Sequence, residues 1–414
     1  MMNRSEWKTV PIREVYEGLF DGPHATPNPS DSGPIFLGIS NITDDGCLDL
    51  SDIRHIAEEE FGKWTRRVEP RAGDLVFTYE ATLNRYALVP NGFRGCLGRR
   101  MALIRPDTAK VDVRYLFYYF FSSEWRAVIA SKMMSGATVD RIPLITFPEF
   151  PVRIPPLPVQ RQIADILSAY DDLIENNTRR IHILEQQAQA LYREWFVNFR
   201  FPGHAKVKLV DSTLGKIPQG WQPGALGNIA GEVRRGVNPD EIEPETPYIG
   251  LEHMPRKSIA LAEWGTAKEV QSTKLAFKKG EILFGKIRPY FHKVGVAMVD
   301  GVCSTDAIVI IPKQAEHFAL VLACVSSEAF VSHATQTSQG TKMPRANWDI
   351  LTKYPLPVPP SPLLALFSDS VEQSVSLIEN LAFKNRKLRR TRDLLLPRLL
   401  SGDLDVSKLD TETI

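Results

Sequence analysis

Two stretches of the sequence concentrate positive charge that could bind phosphate groups. Residues 81–105 contain five arginines and no acidic residue, and residues 274–293 contain six lysines or arginines and one glutamate. Guanidinium and ammonium groups donate hydrogen bonds to phosphate oxygens and to the edges of bases. Either stretch alone could be a solvated loop, but the two occupy matching places in the two halves of the chain. This placement favours contact with a nucleic acid.

The motifs of common enzyme active sites are not found. The pairs Gly62-Lys63, Gly215-Lys216 and Gly285-Lys286 are followed by Trp or Ile, whereas a phosphate-binding loop requires Ser or Thr. The sequence has no HExxH motif, no GxSxG turn and no Asn/Asp-Pro-Pro-aromatic tetrapeptide of an amino-methyltransferase. Its eight histidines are dispersed, and its four cysteines form no CxxC pair. We expect no catalytic residue, no metal site and no cofactor bound by this chain.

The composition is that of an ordinary globular protein. Of the 414 residues, 43% are hydrophobic and 24% are charged, and the net charge is +1. The first eight residues lack the apolar core of a signal peptide. The most apolar stretches, 115–121 and 319–325, are too short to cross a bilayer. We therefore expect a cytoplasmic protein with no membrane partner.

An internal repeat organises the chain. Ser122-Ser123-Glu124 recurs as Ser326-Ser327-Glu328, and Gly136 with Arg141 recurs at the same shift as Gly340 with Arg345. The further matches are Pro151, Ile154-Pro155-Pro156 and Glu175-Asn176 with Pro355, Val358-Pro359-Pro360 and Glu379-Asn380, the 71–77 stretch with 278–284, Leu37-Gly38 with Ile249-Gly250, and Trp7 with Trp221. These matches indicate a duplication of a unit of about 200 residues.

Each repeat has the same order of parts. Short apolar runs broken by Gly, Pro and Asn predict strands, for example 75–79, 294–299 and 307–311. A helix with an apolar face follows, over about 113–133 and 316–335. A proline-rich joint then interrupts the helix before a long second helix begins. The resulting domains are a first recognition domain 1–155, a central helix 156–202, a second recognition domain 203–358 and a C-terminal helix 359–414.

The long helices carry a coiled-coil stripe with alternating spacings of four and three. In the first helix, roughly 60 Å long, a polar Asn177 interrupts the stripe, and the second stripe is polar at Ser374, Asn385 and Arg392. The simplest partner of one stripe is the other, and the symmetry of two equal units favours antiparallel pairing with the recognition domains at opposite ends. Parallel pairing is compatible with the chain connections. The apolar seam positions are Ile163, Leu167, Tyr170, Ile174, Ile181, Leu184, Ala188, Leu191, Trp195, Phe367, Val371, Ile378, Leu381, Leu388, Leu395 and Leu399.

The whole chain resembles the specificity (S) subunit of type I restriction–modification systems. Two variable domains lead through Pro-rich joints into heptad helices. The residues that carry the likeness are DGPHAT at 21–26, FLGI at 36–39, the turns at Gly73 and Gly280, SGATVDRIP at 135–143, QGTKMPRAN at 339–347, IPPLPVQRQIADIL at 154–167 and LLLPRLLSGDLDV at 394–406. The polar seam of the second helix departs from an ideal stripe and leaves open how tightly its middle packs, or whether partner subunits cover it.

The resemblance implies an α+β fold and a scaffold without catalysis. Each target recognition domain, of mixed or antiparallel β-structure with helices, would read one half of an asymmetric, two-part site in double-stranded DNA. Each resembles the DNA-reading domain of an adenine-N6 methyltransferase. The helix pair would set the unread gap. The implied partners are two methyltransferase (M) subunits, which use S-adenosylmethionine, and in some systems two restriction (R) subunits, which use ATP and Mg²⁺.

The resemblance also places the DNA-contacting loops after the strands that follow Gly73 and Gly280. Arg and Lys suit guanine and phosphates, Asn suits adenine, and an aromatic ring can pack on a sugar or a displaced base. The predicted residues are Asn84, Arg85, Tyr86, Arg99 and Arg100 in the first domain and Lys286, Arg288, Tyr290, His292 and Lys293 in the second. Thr138, Arg141, Lys342 and Arg345 could grip phosphates, or the two arginines could pair with acids of their own domain.

Two other functions are compatible with the sequence. The chain could be a helical scaffold whose domains bind peptides or sugars, and salt dependence of binding would separate this from DNA recognition. It could also be a nuclease or methyltransferase with a degenerate motif, which magnesium or labelled S-adenosylmethionine would reveal. The recognised base sequence, the gap length and the presence of restriction subunits do not follow from the residues.

Overall fold

The computed structural model describes residues 7–50, 52–135 and 139–406, which form two compact units. The first unit comprises the residues up to Asp172 together with those from Arg389 onward, and the second comprises Leu173–Leu388. Both long helices therefore contribute to both units. The described helices are α1 (Phe61–Trp64), α2 (Val113–Tyr119), α3 (Ser123–Lys132), α4 (Leu157–Tyr192), α5 (Leu226–Ile229), α6 (Phe318–Val325), α7 (Glu328–Gln336), α8 (Trp348–Leu351) and α9 (Ser361–Leu400).

The first unit contains three small sheets. The strands are β1 (Lys8–Pro11), β2 (Tyr16–Asp21), β3 (Ser30–Leu37), β4 (Arg54–His55), β5 (Leu75–Thr78), β6 (Tyr86–Leu88), β7 (Gly95–Leu97), β8 (Met101–Pro106) and β9 (Pro151–Ile154). The four-stranded antiparallel sheet has the order β2-β8-β5-β6. The three-stranded sheet has the order β4-β3-β7 with β3 and β7 parallel, and β1 pairs with β9. The pairing of β1 with β9 closes the domain just before the proline-rich joint.

The second unit repeats this arrangement with additional strands. The strands are β10 (Leu209–Ser212), β11 (Gly215–Pro218), β12 (Ala230–Val233), β13 (Arg235–Val237), β14 (Pro247–Ile249), β15 (Ala260–Leu261), β16 (Gly265–Thr266), β17 (Lys274–Phe277), β18 (Ile282–Gly285), β19 (Val294–Ala297), β20 (Gly301–Cys303) and β21 (Ala307–Pro312). One sheet has the order β12-β21-β18-β19-β15. The other has the order β13-β17-β20-β14-β16 with β14 and β20 parallel, and β10 pairs with β11. The predicted strands at 75–79, 294–299 and 307–311 are confirmed to within two residues at each end.

The predicted domain helices at 113–133 and 316–335 are wrong as single helices, because each is broken into two. The breaks fall at the repeated Ser-Ser-Glu. The Ser122 hydroxyl accepts a hydrogen bond of 3.1 Å from the Trp125 amide, and the Ser327 hydroxyl accepts one of 3.2 Å from the Phe330 amide. A serine in this position caps the start of a helix. The repeated serines therefore begin α3 and α7 and let the chain turn between two short helices.

Aromatic side chains dominate the core of the first unit. The Trp125 ring is fully buried and stacks on Phe120 with centroids 4.6 Å apart. The same cluster includes Ile163 and Leu167 from α4 and Leu399 from α9. Burial of such side chains contributes about 1.5–3 kcal/mol each. In this unit the beginning of α4 and the end of α9 are thus part of the domain core.

In the second unit α4 and α9 contact each other in opposite chain order. Asn177 is hydrogen-bonded to Asn385, and Trp195 lies 5.8 Å from Phe367 between ring centroids. Trp195 lies as far beyond Asn177 as Phe367 lies before Asn385. Between these contacts Ile181 belongs to one buried cluster with Ile378, Leu381 and Ala382. Every predicted apolar seam residue is buried or half-buried.

Polar residues that interrupt the helix stripes also have hydrogen-bond or ion-pair partners. Asn385 is only 3% exposed, and its amide oxygen accepts a hydrogen bond from Asn177. In the first unit the Arg392 guanidinium is paired with Asp171, which also accepts a 2.6 Å hydrogen bond from the Tyr118 hydroxyl. The interruptions are therefore paired polar groups. The predicted C-terminal helix 359–414 is wrong at its end, because α9 stops at Leu400 and Gly402 follows with a φ of 72° that favours glycine.

No single helix of the described residues is both long enough and apolar enough to cross a membrane. The bent pair 315–325 and 328–336 meets that test only in combination, and most of its first member is core of the second unit.

Candidate DNA interface

The recognition loop of the second unit follows β18 and is held by the Gly-x-x-x-x-Arg segment. The Arg288 amide donates a 2.8 Å hydrogen bond to the Pro344 carbonyl, and the Ala346 amide donates one of 2.9 Å to the Lys286 carbonyl. Arg345 also forms isolated backbone bridges with Ile287 and Gln339. The two segments that the sequence predicts to face DNA are thus neighbours in one surface.

The first unit has the same backbone arrangement. The Ala81 amide donates a 3.0 Å hydrogen bond to the Asp140 carbonyl, and the Ile142 amide donates one of 2.7 Å to the Tyr79 carbonyl. Arg141 forms bridges with Glu80 and Met134. These bonds match those of the second unit one for one. The duplication therefore includes the surface on which the loop and the arginine segment meet.

Both loops contain residues in the left-handed backbone region. Arg288 and His292 have φ values of 47° and 52°, and Ala81 and Asn84 have values of 71° and 61°. A non-glycine residue in such a conformation costs on the order of 1 kcal/mol or more and persists only where neighbouring contacts fix it. At Arg288 and Ala81 the hydrogen bonds to the arginine segments supply those contacts. Strained positions of this kind cluster at binding sites.

Several predicted residues of the second unit are available at the surface. Tyr290 is 51% exposed, Lys342 and Arg345 are exposed, and Lys286 and Arg288 are half-buried. Arg345 has a nitrogen 3.8 Å from a carboxylate oxygen of Asp306, with half of its side chain exposed. The contact with Asp306 agrees with the alternative that Arg345 pairs with an acid of its own domain. The exposure of the Arg345 side chain agrees with the alternative that it contacts a phosphate. The surface can present aromatic and cationic groups together.

The predictions for Tyr86 and His292 are wrong. Tyr86 is 1% exposed, and its hydroxyl donates to Asn84 Oδ1 at 3.1 Å and accepts from Trp125 Nε1 at 3.0 Å. Burial raises the pKa of Tyr86. The His292 ring is 7% exposed and is hydrogen-bonded to the Ser326 carbonyl at 2.9 Å. Both side chains are parts of the domain interior and offer nothing to a duplex.

Lys293 is also directed inward. Its ammonium donates a 2.5 Å hydrogen bond to the Leu251 carbonyl, and partial burial lowers its pKa. Lys293 is half-buried, as Lys286 and Arg288 are, and its contact with DNA stays a prediction. Residues that lead into β19 share the two faces of that strand, and one face is the core.

In the first unit part of the positive charge is neutralised within the domain. Arg85 Nε lies 2.8 Å from Asp44, and Arg100 Nε lies 3.1 Å from Glu80. Arg105 is paired with the buried Asp74 at 2.7 Å, and Arg94 is paired with Glu58. The Arg99 and Arg141 side chains are exposed, and Asn84 is half-buried. Thr138 lies outside the described residues.

Sequence reasoning missed one basic residue beside the second loop. The Arg256 guanidinium stacks over the Phe291 ring at 4.3 Å from the centroid, and the same ring lies 4.8 Å from the Tyr290 ring and 6.0 Å from the Arg288 guanidinium. Arg256 precedes Lys257 in a short basic pair, but it lies far upstream of the loop in sequence. A cation over an aromatic face is attracted by the ring electrons, and no local pattern in the sequence joins the two residues.

Comparison with known proteins identifies the family of this chain. The family model for the type I restriction modification DNA specificity domain matches residues 5–186 and 218–363. The MjaIX specificity subunit of Methanocaldococcus jannaschii is 25% identical over 86% of this chain and 83% of its own length. The HindI specificity subunit of Haemophilus influenzae is 23% identical over 97% of this chain and 100% of its own length. The type I S subunit of M. genitalium shares the fold, with a TM-score of 0.56, 15% identity, and coverage of 96% and 97% of the two chains.

The chain belongs to the type I restriction modification DNA specificity family, because the family model matches most of its length in two copies. Within such a system it is a specificity subunit with two DNA recognition domains, the non-catalytic part that selects the sequence.

Proposed function

We propose that each recognition domain contacts one half of an asymmetric bipartite DNA site through the loop after β5 or β18 and the adjoining arginine segment. The observation that carries this proposal is the repeated set of backbone hydrogen bonds between loop and segment in the two units. Exposed Arg99 and Arg141 in one unit, and Tyr290, Lys342 and Arg345 in the other, would supply the contacts. Their different identities suit two unlike half-sites.

The long helices would pair as an antiparallel coiled coil that sets the gap between the half-sites. The reversed order of the contacts Asn177–Asn385 and Trp195–Phe367 supports this direction of pairing. A buried Asn pair within an apolar seam favours one register over others. Because the register of the two long helices would be fixed, the number of base pairs between the two half-sites would be fixed as well.

The same helices would dock two methyltransferase subunits, and two restriction subunits in systems that have them. S-Adenosylmethionine would be bound by the former, and ATP and Mg²⁺ by the latter. Support for these partners comes from the family and from the names of the relatives, which are subunits of type I restriction enzymes.

A salt titration tests the DNA proposal. The complex of the full chain with its methyltransferase subunits is bound to a labelled duplex carrying the host's methylated sequence and to a duplex lacking it. We expect tight binding to the first duplex, weak binding to the second, and an association constant that falls linearly with salt on logarithmic axes. Equal binding to both duplexes would contradict sequence recognition, and a flat salt dependence would contradict phosphate contact.

A further inference from the structure

A segment outside the predicted loops joins the DNA-facing surface of the first unit. The Gly22 amide donates a 2.9 Å hydrogen bond to the Met101 carbonyl. A Cβ atom at Gly22 would lie 2.2 Å from the Gly98 carbonyl oxygen, so a side chain cannot be accommodated there. The segment from Asp21 to His24 is therefore packed directly on the turn that carries Arg99 and Arg100.

Tyr79 connects this segment to both predicted DNA-facing segments. Its amide donates a 3.1 Å hydrogen bond to the Arg100 carbonyl, and its carbonyl accepts one of 2.7 Å from the Ile142 amide. Its hydroxyl lies 3.3 Å from His24 Nε2. The His24 ring is thus positioned by a residue that joins the arginine turn to the Arg141 segment.

The His24 side chain is held at one nitrogen and is otherwise open. Nε2 faces the Tyr79 hydroxyl and lies 3.5 Å from Asp21 Oδ2, while 57% of the His24 side chain is exposed. Tyr79 itself is 5% exposed, and burial raises its pKa to about 12, so the hydroxyl keeps its proton at neutral pH. Both contacts use Nε2, which leaves Nδ1 to bond elsewhere.

The charged groups around this ring are of both signs. Asp21 lies against Nε2 and is paired with Arg67, while Glu80 and Arg99 act on the neighbouring Tyr79 hydroxyl together with Asp21 and Arg67. Arg100 is paired with Glu80 at 3.1 Å. The Tyr79 hydroxyl, which keeps its proton, can donate to Nε2, and Nδ1 of the ring then carries the hydrogen and is a donor.

We propose that His24 is a DNA-contacting residue of the first recognition domain, which donates from Nδ1 to a backbone phosphate. Asp21 and Tyr79 position the ring at Nε2. The proposal rests on the proposed function, because it requires that this surface binds a duplex. A hydrogen bond to a backbone phosphate carries no base information, so this contact adds to the affinity for target and non-target duplexes alike.

The test uses the complex of the full chain with its methyltransferase subunits and the labelled duplexes described above. Dissociation constants are measured at one pH and one ionic strength for wild type, His24→Ala and His182→Ala. His182 is an exposed histidine on α4, outside the first recognition domain, and serves as the matched control. We expect the control to bind as wild type does and His24→Ala to bind roughly 3- to 10-fold more weakly.

We expect the loss in His24→Ala on the specific and the non-specific duplex alike. A His24→Ala complex that binds both duplexes as tightly as wild type does would overturn the proposal. A loss confined to the specific duplex would also overturn it, because a phosphate contact is not sequence-dependent.

Tyr79→Phe provides a second variant that keeps the buried ring and removes only the hydroxyl. We expect weaker binding than wild type to both duplexes, by less than in His24→Ala, and unchanged binding would overturn the positioning role of Tyr79. Failure of the proposed function is distinguishable, because the wild-type complex would then show no preference for the specific duplex. If wild type prefers the specific duplex and His24→Ala binds as wild type does, only the assignment of His24 is refuted.

Discussion

Asn177 Nδ2 donates a 2.9 Å hydrogen bond to Asn385 Oδ1 in the interior of the helix pair of the second unit. Asn385 in turn donates to the Ile174 carbonyl at 3.2 Å and to the Thr178 hydroxyl at 3.1 Å. The amide of Asn385 therefore uses both its oxygen and its nitrogen. A buried amide satisfied in this way penalises any shift of one helix along the other, because a shift would leave it unpaired.

Asn177→Leu should destabilise the second unit by about 1–3 kcal/mol, because Asn385 Oδ1 would lose its donor inside the seam. The double variant Asn177→Leu/Asn385→Leu should be less destabilised than the sum of the single variants, since the buried polar pair is removed as a whole. Chemical denaturation of the four proteins gives the coupling energy. Asn176→Leu alters an exposed neighbour and should stay within about 0.5 kcal/mol of wild type. Strict additivity of the two seam substitutions would contradict the pairing.

Tyr86→Phe should lower stability by about 1–3 kcal/mol, because Trp125 Nε1 would be left without its acceptor in a buried site. The affinity of the folded protein for DNA should not change. Thermal unfolding and duplex binding measured on one preparation check both statements.

The exposed Tyr290 serves as the contrasting case. Tyr290→Ala should leave the unfolding temperature near that of wild type, because half of this side chain is exposed, and should weaken binding to DNA. A Tyr86→Phe protein with intact stability and reduced affinity would restore Tyr86 as a DNA contact.

Arg288→Ala should weaken specific binding by about 1–3 kcal/mol if the guanidinium contacts a base edge. Binding of wild type and variant to duplexes substituted at each position of the site separates the two kinds of contact. A loss that disappears at one substituted position identifies a base, whereas a uniform loss identifies a phosphate. Lys268→Ala, which removes an exposed lysine already paired with Glu245 at 2.7 Å, is the matched control and should bind as wild type does.

Glu185 gives a pH-dependent contribution to stability. Burial raises its pKa, although hydrogen bonds from the Ser258 hydroxyl and the Ile259 amide oppose the rise. Because the folded pKa is above the unfolded one, the folded state holds the proton more tightly, and stability falls as the pH rises from the unfolded pKa through the folded pKa. Glu185→Gln keeps an oxygen acceptor for both donors. It should therefore remove this fall and unfold at the same or a higher temperature than wild type at pH 7.

Glu185→Ala is the control for that prediction. It leaves the Ser258 hydroxyl and the Ile259 amide without their acceptor and should unfold at a lower temperature than wild type. A Glu185→Gln protein whose stability fell with pH as steeply as wild type would show that another group is responsible.

The duplication and the helix stripe followed from the sequence because both are periodic. A buried stripe repeats at a fixed spacing, so Ile163, Leu167 and Phe367 could be placed in the seam from spacing alone, and all three are fully buried. The strand after Gly280 was predictable for a different reason. A short run of apolar residues between turn residues has few other structures available.

The inward direction of Tyr86 and His292 could not be predicted in the same way. Both follow glycine-rich or basic loops, where no periodicity shows which side chain enters the core. Their burial depends on Trp125 and Ser326, residues more than thirty positions further along the chain. His24 stands in the DGPHAT segment, and its neighbour Tyr79 lies 55 residues away. Contacts between distant segments leave no local signal.

The central claim is that each recognition domain reads its own half of the site, and selection from a random-sequence duplex library tests it most directly. Complexes carrying Arg288→Ala with Lys286→Ala, or Arg99→Ala with Arg141→Ala, are compared with wild type by sequencing the bound duplexes. We expect Arg288→Ala with Lys286→Ala to weaken the base preference, or to lower the amount of bound duplex, at one half-site only. Arg99→Ala with Arg141→Ala should do the same at the other half-site. The gap between the half-sites should keep its length in both. Relaxation of both halves by either pair, or a wild-type consensus without two separated halves, would contradict the account.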